Sequence, residues 1–156
     1  MRGWRRVPTA ALTEDKDDDI GGIAEIVGFH IRLAHAAVYR HFTETFTDLE
    51  LTQKQVSVLW LVGDHPGISQ IEVGRRLRMD RATTMTIVNR LQEREFLRRE
   101  RSASDGRKQA LYLSDEGLDA LARAKACIAE HEGWLKGRFS PDEVKKLVEM
   151  LTRIHE

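Results

Sequence analysis

Cysteine is almost absent from this sequence; Cys127 is the only one. An internal disulfide and a cysteine-built zinc site are therefore excluded. No run of apolar residues approaches the roughly 18 needed to cross a membrane. The opening MRGWRRVPTAALTEDKDDD carries basic residues but no apolar core of signal-peptide length, so secretion is not expected. There is no Gly-rich phosphate loop, no Gly-x-Ser-x-Gly elbow and no His-Glu-x-x-His pair, so the common enzyme signatures are missing. Ser102, Ser104 and Asp105 lie in a polar, flexible stretch, a poor place for a preorganised nucleophile. Net charge is absent too: 25 Lys and Arg residues face 25 Asp and Glu residues. No cofactor or metal site is expected, and the reading is of a soluble cytoplasmic protein that is not an enzyme.

What is present suits one globular domain. The chain has 156 residues, 41% of them apolar and 32% charged, which argues against wholesale disorder. At this length a chain buries roughly two-thirds of the surface exposed when unfolded, enough for a real core. The charges are not spread evenly. Between Arg75 and Lys108 there are eleven basic residues against five acidic ones, a local excess of +6 that the rest of the chain balances. Ten of the eleven are arginines. Arginine suits forked recognition of phosphates and guanine edges, so this stripe is a candidate polyanion footprint. A solvated helical face laced with ion pairs is the alternative.

Residues 1–19 read as a tail ending in an acidic run. From Ile20 to Phe46 there is no proline, and Ile20, Ile23, Ala24, Val27, Ile31, Ala34 and Val38 follow helical spacing. That pattern predicts one amphipathic helix of about seven turns. Thr52 with Gln55, and Ser69 with Glu72, have the spacing of capping boxes. They predict two short helices, the first carrying Val56, Leu59 and Trp60, the second Ile71, Val73 and Leu77, with His65-Pro66-Gly67 as the turn. Asp80 is the predicted N-cap of a third helix, running to about Arg94 with Thr84, Ile87, Val88 and Leu91 on its apolar face.

The period then changes. Leu97, Arg99 and Arg101 alternate with Arg98 and Glu100, and Leu111 and Leu113 flank Tyr112. Two strands joined by a polar, basic hairpin over 102–108 follow from this. Ser114 is placed to cap a long helix reaching about Gly137, with Leu118, Leu121, Ala122, Ala126 and Ile128 along it. Ser140-Pro141-Asp142-Glu143 opens a last helix with Val144, Leu147, Leu151 and Ile154 as its stripe.

The fold class is therefore mainly α with a small β-hairpin wing: a winged helix-turn-helix domain over 49–113, flanked by long dimerisation helices over 20–48 and 114–156. The outer helices keep apolar stripes that the middle domain need not cover, which suits a homodimer.

From Gly67 to Leu77, through Met79–Thr84 and Val88–Leu91, to Asp105-Gly106-Arg107-Lys108 and Leu111–Gly117, the sequence resembles the MarR family of bacterial transcription regulators. The resemblance covers roughly residues 20–155. It implies that the helix after Asp80 enters the major groove of double-stranded DNA. It also implies that an Asp-x-Arg pair, here Asp105 and Arg107, serves the wing, with the Arg reaching a minor groove. It further implies a pseudo-palindromic operator and, often, a small aromatic or phenolic effector bound between the dimer helices and the DNA-binding domain. Two positions depart from the family pattern. Glu95 stands where glycine is common before the wing strand, and Met85-Thr86 stands where Thr-Arg is common in the recognition helix.

If Thr84, Ile87, Val88 and Leu91 face the core, the opposite side presents Arg81, Ala82, Met85, Thr86 and Asn89, with Thr83 at the flank. Threonine hydroxyls serve base edges or phosphates, alanine and methionine touch thymine methyls, and Asn89 is placed to read adenine. Arg81 and Arg90 are expected on phosphates, giving affinity rather than sequence information. Arg107 and Lys108 complete the DNA-binding set, with Asp105 expected to hold Arg107 in a forked ion pair. For the effector, the candidates are His30, His35, His41 and Trp60, with interface, surface or core roles as the alternative. The histidine spacing misses the i, i+4 arrangement of a helical metal pair. Cys127 is read as a small buried residue rather than a redox sensor.

Overall fold

The computed structural model describes residues 19–156, so the expected N-terminal tail lies almost wholly outside the described residues. Two units divide the chain, one ending at Ala36 and one spanning Ala37–Glu156.

In the first unit the single long helix expected from Ile20 is interrupted. A 3-10 helix covers Gly21–Glu25, Ile26 is extended at φ −82° and ψ 111°, and only then does helix α1 (Val27–Thr45) begin. The cause is the Gly21-Gly22 pair. Glycine is a poor helix residue, and Gly21 sits at φ +60° with its N–H donated to Asp19 Oδ1 at 2.8 Å. Apolar spacing alone did not register that break.

The second unit holds the last turns of α1, then α2 (Gln53–Asp64), β1 (Ile68–Ser69), α3 (Gln70–Arg76), α4 (Arg81–Glu93), β2 (Leu97–Arg101), β3 (Gln109–Leu113), α5 (Asp115–Lys136) and α6 (Pro141–His155). The caps act as the sequence indicates at Thr52 and Ser140, where both halves of the capping box form. At Ser69 only half forms. Its Oγ accepts the Glu72 N–H at 3.2 Å, but the Glu72 carboxylate is taken by Arg75 and Arg76.

The wing is a three-stranded antiparallel sheet in the order β1-β3-β2 rather than a bare hairpin. Ile68 pairs with Leu111 and Ser69 with Ala110. Two residues are too few to show a period, so β1 is invisible in sequence. It ties the turn after α2 to the wing. In the hairpin, Leu97 lies opposite Leu113 and Arg99 opposite Leu111.

The core is formed by Phe46, Val58, Leu59, Val62, Val73, Val88, Leu91 and Leu111, with Leu97 and Leu121 beside them. Thr84 is buried in the same layer; its hydroxyl donates to the Asp80 carbonyl at 2.8 Å, so the polar atom is satisfied. Ile71 and Leu118, expected on apolar faces, point outward instead, at 77% and 54% exposure. On α5 the buried line runs through Gly117, Ala120, Leu121, Ala124 and His131, while Ala122 and Ala126 are exposed.

The junction between α4, the wing and α5 is tight. Glu95 adopts the left-handed conformation at φ +60°, the conformation that explains why glycine is common there. The Phe96 carbonyl accepts the Ser114 N–H at 3.1 Å, the Ser114 hydroxyl donates to the Glu95 carbonyl, and Ser114 Oγ accepts the Gly117 N–H at 2.9 Å. A Cβ at Gly117 would stand 2.0 Å from the Phe96 carbonyl oxygen.

Candidate nucleic-acid interface and effector cleft

Helix α4 is fixed at its start by Asp80. One carboxylate oxygen accepts the Thr83 N–H at 2.8 Å and the other accepts the Thr83 hydroxyl at 2.6 Å. These bonds, the hydroxyl first, hold the Asp80 carboxyl below the usual carboxylate range. Thr83 therefore spends its hydroxyl within the cap. Arg81, Ala82, Met85, Thr86 and Arg90 stand exposed on one side of α4, Met85 at 48%.

Asn89 is half-buried, and its Oδ1 accepts from Arg99 Nη2 at 2.7 Å. The same Nη2 donates to Gln70 Oε1 at 3.0 Å. Arg99 comes from β2, on the side of the ribbon shared with Leu111, and so links the wing to both helices of the turn motif. Its Nε is buried with no hydrogen-bond partner among the described residues. In this structure Asn89 thus joins α4 to the wing, a role its position on the helix did not signal.

The basic stripe divides by geometry. Arg94 points inward, donating to the Glu50 and Leu49 carbonyls at 2.8 and 3.0 Å. Arg75 and Arg76 share Glu72, whose carboxyl they lower to about 2. Arg78 donates to the carbonyl of His155, and its Nη1 lies 3.1 Å from that histidine's Nδ1. Arg98 lies against Glu100 and over the Tyr112 ring. Arg81, Arg90, Arg101 and Arg107 remain exposed with no ion pair to any described residue.

In the wing the forked Asp105–Arg107 pair does not form. Asp105 Oδ1 accepts the main-chain N–H of Arg107 at 3.1 Å, and Lys108 Nζ stands 4.0 Å from Oδ2. An Asp bonding the N–H two residues on is the ordinary way an Asx turn closes, and it occupies the oxygen a guanidinium would use. The tip is further closed by Ser102 N–H to the Lys108 carbonyl and Lys108 N–H to the Asp105 carbonyl, both at 2.9 Å. Arg107 is thereby set on an ordered turn with its guanidinium outward.

A second feature is a cleft of about 600 Å³ between the end of α1, α2 and α5, lined by Val38, Phe42, Val56, Trp60, Leu61, Leu77, Ile128, His131 and Leu135 among others. Gln53, Ser57, Asp64 and Glu132 add its polar atoms. Of the expected effector residues, Trp60 lines this cleft. His41 stands behind it, its Nδ1 2.8 Å from His131 Nδ1 and its ring stacked on Trp134 at 4.1 Å. His30 and His35 are not among the lining residues; His30 Nε2 is 2.6 Å from the Ala24 carbonyl oxygen. His131 escaped the sequence reading. Its signal was present, since Leu121, Ala124, Ile128, His131 and Leu135 follow 3-and-4 spacing along α5. Burial pushes the His131 imidazole below its ordinary range, and the neighbouring His41 adds to this. Cys127 is half-buried against the core. Among the described residues, no group of three or more metal-binding side chains occurs and no helix is long and apolar enough to cross a membrane.

This arrangement has known counterparts. The MarR family model matches residues 48–108. A solved structure of the transcriptional repressor CouR bound to a 23-mer DNA duplex superposes with a TM-score of 0.83 at 32% identity, covering 88% of this chain and 98% of that one. The chain belongs to the MarR family. It is a transcriptional regulator of the winged-helix type. A curated relative, a putative transcriptional regulatory protein for the hcr operon of Thauera aromatica, is 29% identical over 136 residues, covering 86% of this chain and 82% of that protein. The PcaV regulator of Streptomyces coelicolor, solved in complex with its natural ligand, is 28% identical with a TM-score of 0.77, covering 88% of this chain and 96% of that one.

Proposed function

We propose that this MarR-family regulator is a homodimeric, sequence-specific repressor that binds a pseudo-palindromic operator and is released by a small aromatic or phenolic acid. The observation that carries the DNA reading is the exposed face of α4, with Arg81, Ala82, Met85, Thr86 and Arg90, beside a wing whose Arg101 and Arg107 guanidinium groups pair with no described residue. Met85 and Thr86 supply base-edge contacts, with Ala82 and the Thr83 methyl at the groove wall. Arg81, Arg90 and Lys108 meet phosphates, and Arg107 enters the minor groove, placed by the Asp105 turn. The dimer reading is supported by α6, on which no residue is buried within the single chain although Val148, Met150, Leu151 and Ile154 are apolar. The effector reading is supported by the cleft: its volume is that of a small-molecule site, its walls are apolar, and Trp60 offers a ring face. CouR bound to DNA and PcaV bound to its ligand show both activities in relatives of this fold.

The test is selection from a random duplex library at moderate salt with excess competitor. The expected result is an imperfect palindrome with half-sites about one helical turn apart. On that operator Arg107→Ala is expected to cost about 1–3 kcal/mol of binding while the fold persists. Binding that vanishes with salt and enriches no sequence would replace this reading with nonspecific association.

A further inference from the structure

The cleft is short of permanent positive charge. Its lining includes Asp64 and Glu132 but no lysine or arginine. Lys125 reaches Asp64 at 3.9 Å and lies over the Trp60 ring, its Nζ 4.7 Å from the centroid, and Lys136 holds Glu132 at 2.9 Å, so the nearby ammonium groups are already engaged. An aromatic carboxylate entering this space meets two carboxylates already paired and one imidazole, His131. That imidazole is 4% exposed and bridged to His41.

The bridge fixes where protons sit. The Thr45 hydroxyl donates to the His41 carbonyl at 2.8 Å, so only its lone pairs face His41 Nδ1, 3.3 Å away. The tautomer that satisfies all three contacts has the hydrogen on His41 Nδ1, shared between Thr45 Oγ1 and His131 Nδ1. His131 accepts through Nδ1, and its own proton lies on Nε2, which no described residue accepts. The neutral pair holds two protons and has one basic nitrogen left, His41 Nε2. A proton taken up there makes a bridged monocation. A second added proton would set N–H against N–H across 2.8 Å and break the bridge. The pair is a one-proton acceptor.

We propose that the His41–His131 pair is the anion-recognising element of the cleft, taking up one proton from solvent when an aromatic acid binds. Resting on the effector reading above, this names the bound species as the acid anion plus a proton. The carboxylate accepts from the Nε2 hydrogen of His131, and the new positive charge is carried by the bridged rings with Trp134 stacked against His41. The charged groups around the pair are Lys125, Glu132 and Lys136 on the helix of His131, Asp64 across the cleft on α2, and Arg138, which lies over the Trp134 ring that stacks on His41. Each acid among them already has its cation. Before ligand enters, burial disfavours the charged form of His131, so the anion supplies the countercharge that lets the bridged pair hold the extra proton.

The experiment is calorimetric titration of the full chain with cinnamate, and with cinnamamide as its uncharged analogue. It runs from about pH 6 to about pH 9 in buffers of different ionisation enthalpy. Cinnamate is expected to bind with uptake of about one proton above neutrality, its association constant falling toward tenfold per pH unit. Cinnamamide binding is expected to show neither effect. His41→Asn, whose amide hydrogen still reaches His131 Nδ1, is expected to weaken cinnamate several-fold and abolish the uptake. Cinnamate binding that is independent of pH, with no proton uptake, overturns the proposal and means a permanent cation, such as one from a second copy, meets the anion. Failure of both probes to bind at any pH overturns the aromatic-effector reading itself.

Discussion

Replacing Gly117 by alanine places one methyl group where the α5 start meets the wing. Its Cβ would lie 2.0 Å from the Phe96 carbonyl oxygen, where ordinary carbon–oxygen contacts begin near about 3.3 Å. The obstacle is backbone, so no side chain can swing aside. More than about 1 Å of movement is needed, through a carbonyl that holds the Ser114 N–H, in a serine that caps α5. Overpacking of this kind costs about 1–3 kcal/mol and a disturbed cap about 1 more. Alanine's better helix propensity returns about 1. The expected loss is about 1–3 kcal/mol. Glu95→Gly at the same junction should act in the other direction. Relief of the left-handed conformation at φ +60° is worth about 1–2 kcal/mol, less about 0.4–1 for the freer unfolded chain. Urea melts of both variants at one protein concentration, since a dimer's stability depends on it, give the comparison. A Gly117→Ala variant within about 0.5 kcal/mol of wild type, or a destabilised Glu95→Gly, would refute the account of this junction.

Asn89→Ala should weaken operator binding about tenfold without changing the selected sequence, because Asn89 bonds Arg99 and positions the wing. A change of preference at a single base pair would return Asn89 to the groove. His131 has a folded pKa below its ordinary 6.5, so stability should be full above about that pH and fall as the pH drops through the folded value. His131→Asn should flatten that slope in melts across this range; an unchanged slope would mean His131 is not the group that titrates.

The helices were legible because their signals are local. Asp80, Ser114 and Ser140 each cap the helix they precede, and Thr84, Ile87, Val88 and Leu91 form the buried face of α4. The misses share a different cause. Strand β1 has two residues and acquires meaning only against Leu111. Ile71 and Leu118 are apolar but exposed, because periodicity gives a stripe and not which edge of it the core reaches. At the candidate interface the sequence showed a basic stripe, but not the partner each of its members takes. Arg94 and Arg99 satisfy carbonyls and amides, Thr83 bonds Asp80, and Asp105 closes a turn instead of holding Arg107. Each is a choice among competing partners in a folded chain, which a linear sequence does not rank. His131 is the instructive case: its spacing was visible, but its importance came only from facing His41 across ninety residues.

The proposed effector reading places one more demand on the fold. A ligand that releases DNA must bind differently to the DNA-competent and DNA-free arrangements, since equal affinity shifts nothing. The cleft offers a physical route. Leu77 lines it and is also the C-cap of α3, and the chain then passes through Arg78, strained at φ +52°, and Met79 to the Asp80 cap of α4. Only two residues separate a cleft wall from the N-cap of the helix proposed to read DNA. A bound ring that displaces Leu77 therefore acts on a short segment whose left-handed residue already favours rearrangement. The Arg99 bonds to Gln70 and Asn89 oppose that movement by holding α3, α4 and the wing as one body. The two effects are antagonistic, so Arg99→Met should make DNA release occur at lower ligand concentration even as it weakens DNA binding. Release at an unchanged ligand concentration, measured by fluorescence anisotropy on a labelled operator, would separate the brace from the switch.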